Sequence, residues 1–319
     1  MTAAAEPVRV LVTGAFGFVG AAVTRQLTLA GHQVVALTGR AGTVPGPLPT
    51  GVEAVHGDIR DAAAMRSALL GVGGVCHLAA LTRVRESFER PEEYFDVNLV
   101  GTGTLLAAVR AQGERAGRPL GFVQASTGAV YGAAERQPVD EDAPPAPTSP
   151  YGESKLAADQ AALAAADHDG PGVVVLRAFN VAGASGGRGD GDLTRIIPKA
   201  LAVARGTEPV LQINGDGGAV RDFVHVDDLA RAYVAALAHA GRGRGAVFNV
   251  GATRASVADI VRTVEQVTGR TLNVQHLPPG PEPRLLVADS SRIKAELGWA
   301  PECSALAEIV SSAWQAARS

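Results

Sequence analysis

Short apolar runs alternate along this chain with longer segments of helical spacing. "VRVLVTG" (8–14) has no polar face, which suits a strand covered on both sides. "FVGAAVTRQLTLAG" (18–31) follows with apolar positions three and four apart and a closing glycine, the pattern of a helix. The alternation continues through strands expected at 33–38, 52–58, 74–80, 121–126 and 172–179. Helices are expected between them at 62–71, in one long stretch at 92–113, and at 149–166. Alternating β and α predicts an α/β fold, a Rossmann-type doubly wound parallel sheet with right-handed crossovers. Breaks rich in Pro, Gly and Asp at 43–50, 139–150 and 182–192 mark loops. After residue 180 the rhythm loosens. The expected organisation is a dinucleotide-binding domain over 8–179, completed by about 223–253, and a smaller C-terminal substrate-binding lobe made of 180–222 and 254–319.

The first strand–helix joint carries candidate chemistry. In "VTGAFGFVG" (12–20), Gly14, Gly17 and Gly20 follow a strand and open a helix, the context a dinucleotide fingerprint requires. Gly14 permits the tight turn, Gly17 lets the backbone approach a pyrophosphate, and Gly20 lets the helix pack close to the strand. The helix N-terminus, with its unpaired N–H groups, then faces the phosphates. An acidic residue after the second strand would bind a ribose 2′-OH and signal NAD. Here that strand ends in Thr38, followed by Gly39 and Arg40, so nothing repels a 2′-phosphate and Arg40 can attract one. Asp58 is placed to accept from an adenine amino group, or else to cap the following helix.

Composition narrows the classes. The net charge of −3, without a basic block, argues against nucleic acid. Two cysteines, Cys76 and Cys303, make no disulfide framework and no metal cluster. No apolar run approaches the roughly 18 residues of a membrane span, and "MTAAAEP" lacks the features of a signal peptide. A cytoplasmic protein without membrane partners is expected. Lysines are scarce, only Lys155, Lys199 and Lys294. Against that background "SPYGESK" stands out, because Tyr151 and Lys155 share one helix face. An ammonium near a phenol favours the phenolate, which can take the proton of a sugar or alcohol hydroxyl while hydride leaves the carbon. Ser126 and Thr127 end the preceding strand, at the edge where open α/β sheets bind ligands.

These motifs resemble the extended short-chain dehydrogenase/reductases, in the NAD-dependent epimerase/dehydratase family, and most of all its UDP-glucose 4-epimerase-like branch. The resemblance spans residues 8–317 and includes "GDIRD", "HLAALTRVRES", "VNLVGT", "STGAVYG", "RAFNVAG", "NGDGGAVRDFVHVDDLA" and "VADSSRIKAELGW". It implies that Tyr151 is the base, Lys155 its partner, and Thr127 the hydroxyl holding the sugar O4. It adds Phe18, Val19, Ile59, Leu78, Ala79, Ala80 and Asn98 to the cofactor side. Asn180 and Arg221 match positions that contact the diphosphate of a sugar nucleotide, and Leu286 the position that limits bulk at the sugar.

The departures matter as much. Dehydratases of this group carry an Asp–Glu pair where this chain has Gly128 and Ala129, so dehydration is disfavoured. The usual second phosphate arginine falls on Pro279, the base-packing residue near Asn214, and the usual aromatic before "FN" on Ala178, which would leave space near the nicotinamide. Three functions remain open: a nucleotide-sugar 4-epimerase with retained NAD, a 4-keto-sugar reductase using NADPH or NADH, and a non-catalytic binding protein. The expected partner is a UDP- or dTDP-hexose. Family likeness and two Ala-rich helices point to a homodimer.

Overall fold

The structure is a computed structural model that describes residues 7–39, 42, 44, 46–167, 169–240, 245–280 and 283–318. Strands β1 (Arg9–Thr13), β2 (Gln33–Leu37), β3 (Val52–Val55), β4 (Gly74–His77), β5 (Gly121–Thr127) and β6 (Gly172–Ala178) form one parallel sheet. The sheet order places β1 beside β4, and β3 and β6 toward opposite edges. Successive strands diverge from that central pair, which opens a crevice at their C-terminal ends. A seventh strand, Ala246–Val250, completes the sheet beside β6.

The sheet is buried on both faces, as the apolar runs require. Val10 and Val12 face one core cluster, and Leu11 between them faces the other. Helix α1 (Phe18–Leu29) covers the first face together with a later helix, Val226–Ala240. Helices α2 (Ala62–Ala68), α5 (Gly101–Ala116) and α6 (Pro150–Ala165) cover the second. Between them lie the short helices α3 (Val84–Glu89) and α4 (Pro91–Phe95).

The long helix expected over 92–113 is present, running without a break from α4 through a π-helical turn at Asp96–Val100 into α5. The wider turn has a packing counterpart. Gly101 sits so close to Ile59 that an added Cβ would lie 2.6 Å from its Cδ1. The π turn also carries Asn98 inward, where it is 1% exposed. Such turns recur at functional sites.

Apart from β12, the seventh main-sheet strand at Ala246–Val250, the chain beyond β6 builds smaller sheets from β7 (Asn180–Ala182), the paired β8 (Ala184–Ser185) and β9 (Arg188–Gly189), β10 (Leu211–Asn214), β11 (Val220–His225), β13 (Thr253–Ser256), β14 (Val274–Leu277) and β15 (Leu285–Leu286). Strand β11 is central in one of them, pairing with β7, β13 and β15. Residues 223–225, expected with the dinucleotide-binding domain, therefore belong to this smaller sheet. Helices α7 (Ile196–Arg205), α9 (Val257–Thr268) and α11 (Leu306–Ala316) pack a third core around Ile213 and Phe223. Helix α8 (Val226–Ala240) and α10 (Ser291–Leu297) return to the large sheet.

Candidate active site

The glycine turn is closed tightly. Gly14 has φ +68°, and a Cβ there would lie 2.9 Å from Ala79 N. A Cβ on Gly20 would fall 2.0 Å from Gly14 O. Gly17, exposed, caps α1 and donates to Gly14 O at 3.0 Å. Phe18 and Val19 open the helix with their side chains on the core. Helix α1 has no acidic residue in its first turn, so its N-terminal dipole is uncompensated. A backbone cradle bare of Cβ atoms, beside an uncompensated helix N-terminus, fits the pyrophosphate of a nicotinamide dinucleotide.

A buried chain of hydroxyls braces the turn. Thr13 Oγ1 accepts from Leu78 N (3.1 Å) and Ala79 N (3.0 Å) and contacts His77 Nδ1 at 2.7 Å. Thr102 Oγ1 lies 2.9 Å from His77 Nε2 and donates to Asn98 O at 2.6 Å. Those directions assign the imidazole proton to Nε2. Burial, with a smaller effect of the Lys155 charge, pushes the His77 pKa down to about 3, so the ring is neutral. Ala80 follows, half-buried, at the mouth of the crevice.

The ribose edge is looser. Thr38 Oγ1 lies 3.2 Å from His56 Nδ1. Arg40 falls outside the described residues. Asp58 does not cap α2; Asp61 does, accepting from Ala63 N and Ala64 N. Asp58 instead forms a two-pronged ion pair with Arg60, which also reaches Asp96 at 2.5 Å. Ile59 buries its side chain against Gly101, so only its backbone can face a cofactor.

The chemistry converges where β5 meets α6. Pro150 opens α6 under a Ser149 cap, which presents Tyr151 and Lys155 on the face toward β5. Burial raises the Tyr151 phenol above its usual value, while a hydrogen bond from Thr127 and the charge of Arg195 pull it down. The expected lowering by Lys155 does not enter that balance, because desolvation outweighs the rest. Tyr94 packs edge-on against Tyr151 at 6.4 Å between centroids, and its hydroxyl donates to Arg83 O at 2.7 Å. Lys155 is 4% exposed, and burial lowers its ammonium to about 8 against the opposing pull of Asp159. Asn98 accepts from Leu81 N (2.8 Å) and donates to Leu81 O and Ser154 Oγ. It fixes the segment after β4 against α6, so its side chain positions the cofactor side.

Ser126 turns away from the crevice. Neighbouring residues of a strand face opposite sides, so only one of Ser126 and Thr127 can meet a ligand. Ser126 Oγ donates inward to Asp159 at 2.7 Å. Asp159 Oδ2 also accepts from Arg177 Nε at 3.3 Å, Arg177 donates to the Tyr131 hydroxyl, and Tyr131 donates to Asn249 Oδ1. All of these side chains are buried.

The smaller sheet supplies the facing wall. Asn180 donates to Asp222 O at 2.8 Å, across the β7–β11 pair. Arg221 is half-exposed and sits opposite Leu286 in the β11–β15 register. Asp222 is no surface partner for Arg221, since its buried carboxylate accepts from Ala252 N and Ala288 N. Leu286 packs beside Val130, Tyr131 and Phe179. Pro279 lies against Gly215, and Arg284 nearby pairs with Asp216 at 3.1 Å. Gly128 is held under Phe179, where a Cβ would meet the ring at 3.1 Å. Ala178, expected to leave space, is buried in the core of the large sheet.

Sequence reasoning missed His77, Tyr94, Asp159 and Arg195. Asp159 left a signal: an acid one turn beyond Lys155 in an Ala-rich helix. Arg195 left none, because it reaches Tyr151 from the far end of a loop.

Comparison with known proteins places this geometry. Residues 10–251 match the model of the NAD dependent epimerase/dehydratase family. A UDP-glucose 4-epimerase of Streptomyces lividans is 38% identical over 96% of this chain and 94% of its own length. The structure of a UDP-glucose 4-epimerase from Brucella ovis in complex with NAD superposes with a TM-score of 0.88 at 31% identity, covering 96% of this chain and 97% of that one. Another, from Stenotrophomonas maltophila with bound NAD and formylated UDP-arabinopyranose, gives 0.89 at 31%, covering 98% of each.

Proposed function

The chain belongs to the NAD-dependent epimerase/dehydratase family, and from that membership we infer that it is a nucleotide-sugar 4-epimerase, an isomerase that inverts C4 of a nucleoside-diphosphate hexose. The observation that carries the reading is the hydrogen bond between Thr127 at the end of β5 and Tyr151 on α6, with Lys155 buried one turn further along and Gly128 and Ala129 where elimination would need acids.

In this reading Thr127 holds the sugar O4 and Tyr151 accepts its proton. NAD held by the glycine cradle would supply the acceptor and donor of the C4 hydride, which returns to the opposite face of the 4-keto sugar. Tyr151 then returns the proton to O4, so the redox change nets to zero. Lys155 holds the nicotinamide ribose and keeps a buried positive charge on the Tyr151 face of α6, while Thr127 and Arg195 favour the phenolate. Gly14, Gly17 and Gly20 cradle the pyrophosphate, and the 78–80 segment with Asn98 fixes the nicotinamide end. Asn180 and Arg221 receive the substrate diphosphate from the smaller C-terminal lobe, and Leu286 borders the sugar. The relatives' UDP ligands favour uridine as the base. The free Cys76 and Cys303 suit a reducing cytoplasm. No helix among the described residues is long and apolar enough to cross a membrane.

A two-fold homodimer through α5 and α6 completes the reading. Val100, Gly103, Ala107 and Ala164 are exposed there, and Ala157 and Ala161 half-buried, so small residues line a face open to a second copy. Incubation with UDP- and dTDP-hexoses, with C4 epimers resolved by chromatography, tests the activity. Formation of a reduced or dehydrated sugar instead of the epimer would reject it. Light scattering at micromolar concentration tests the dimer, and a monomeric mass would reject that.

A further inference from the structure

We propose that Asp159 is a positioning residue that keeps Lys155 charged beneath Tyr151. Tyr151, Lys155 and Asp159 fall four residues apart in succession, on one face of α6. Lys155 is 4% and Asp159 0% exposed, so no water screens their attraction as it would on a surface. Asp159 Oδ2 is taken by Ser126 and Arg177, while Oδ1 is buried with no hydrogen-bond partner. The carboxylate thus serves Arg177 on β6 through one oxygen and acts on Lys155 one turn back along α6.

The other groups around the pair are accounted for. His77, on β4, faces Lys155 and is neutral. Tyr151 is faced by Thr127 on β5, Tyr94 on α4, Arg195 at the start of α7 and Asp159 on its own helix, and it acts in turn on Tyr233 of α8, which also feels Cys76. Asp159 is faced by Arg177 on β6, Ser126 on β5 and Lys155. Among these, Asp159 is the one carboxylate acting on Lys155. Burial raises the Asp159 carboxyl above its usual value, and Arg177, permanently protonated, is the strongest of the groups that pull it back toward the ionised form. The polar chain from Arg177 through Tyr131 to Asn249 anchors the carboxylate to the far edge of the sheet.

This inference rests on Lys155 serving the proposed proton transfer, but its first test needs no substrate. Three lysines in the whole chain make the experiment direct. Protein labelled with carbon-13 at lysine Cε is titrated by NMR with its cofactor as purified, and Lys155→Arg identifies the resonance. The wild-type midpoint should lie at about 8. Asp159→Asn should lower it by up to about one pH unit, since a nearby opposite charge favours the ammonium. Asp159→Glu should restore it. The double variant Asp159→Asn/Arg177→Met removes both buried charges, so the guanidinium is not left stranded, and it should show the same shift. The alkaline limit of turnover should move with the NMR midpoint. An unchanged Lys155 midpoint in folded Asp159→Asn or in the double variant would overturn the proposal. Absence of turnover in the wild type would sink the epimerase reading and leave the titration to decide this one.

Discussion

The two walls of the crevice are built on opposite principles. On the wall formed by the large sheet, polar groups are sunk in the core: His77 is 1% exposed and Asp159 is 0%. Each is held by several partners, so side-chain positions are over-determined before any ligand arrives. On the wall formed by the smaller sheet, Arg221 is half-exposed, and the pair between Arg284 and Asp216 leaves those side chains 77% and 71% exposed. Proton and hydride transfer tolerate little misplacement, so the chemistry sits where packing fixes geometry. Recognition of a diphosphate asks for charge and reach, which exposed guanidinium groups provide. In the proposed reading, one wall decides whether the reaction occurs and the other decides on what.

That contrast can be broken, and the largest effect is expected at the buried wall. Tyr151→Phe removes only the phenol oxygen, and should cut turnover by on the order of 10²–10⁴-fold. Circular dichroism and cofactor content should be unaltered. Wild-type turnover in this variant would remove Tyr151 from its role and, with it, the distinction between the walls.

The exposed wall should respond differently. Arg221→Ala should weaken sugar nucleotide and free nucleoside diphosphate alike, by roughly ten- to a hundred-fold for one lost charge-assisted bond. Calorimetry should find NAD affinity unchanged. Equal nucleoside-diphosphate affinity in variant and wild type would move the diphosphate elsewhere.

A pH series sharpens the comparison without mutation. The Lys155 pKa is lowered by burial to about 8 in the folded protein, so the ammonium is present below that pH and lost above it. Turnover should therefore rise with pH while phenolate forms on Tyr151, and lose that rise above about 8 as the ammonium is lost. Binding of nucleoside diphosphate, governed by arginine, should stay level over the same range. A turnover that keeps rising well beyond pH 8 would show that the charge on Lys155 is not needed.

The smallest change is expected at the ribose edge, where the half-buried Thr38 hydroxyl lies against His56. Thr38→Asp should tighten NAD by a few-fold, about 0.5–1.5 kcal/mol for one hydrogen bond to a ribose hydroxyl, and should weaken NADP. Fluorescence titration of both reduced cofactors reads the ratio. An unchanged ratio would mean the adenosine ribose does not lie against β2.

The sequence by itself determined the class of the fold. Apolar runs such as 8–14 and 172–179 have to be covered on both faces, and only a parallel sheet between helix layers does that. It also marked the glycine turn and the Tyr151–Lys155 spacing, because both are local: a strand–turn–helix joint and one helical turn contain their own geometry. What lay across the fold was not legible. Ser126 and Thr127 looked alike in sequence, and only the pleat of β5 sent one to Asp159 and the other to Tyr151. The helix expected at 92–113 formed, but the π turn within it was not foreseen; there Gly101 packs on Ile59 from a distant segment. Asp58 read as a cap or an adenine ligand until the structure paired it with Arg60. The effect of Lys155 on Tyr151 also followed no sequence rule. A pKa depends on how much water burial removes, and burial is a property of the whole tertiary structure.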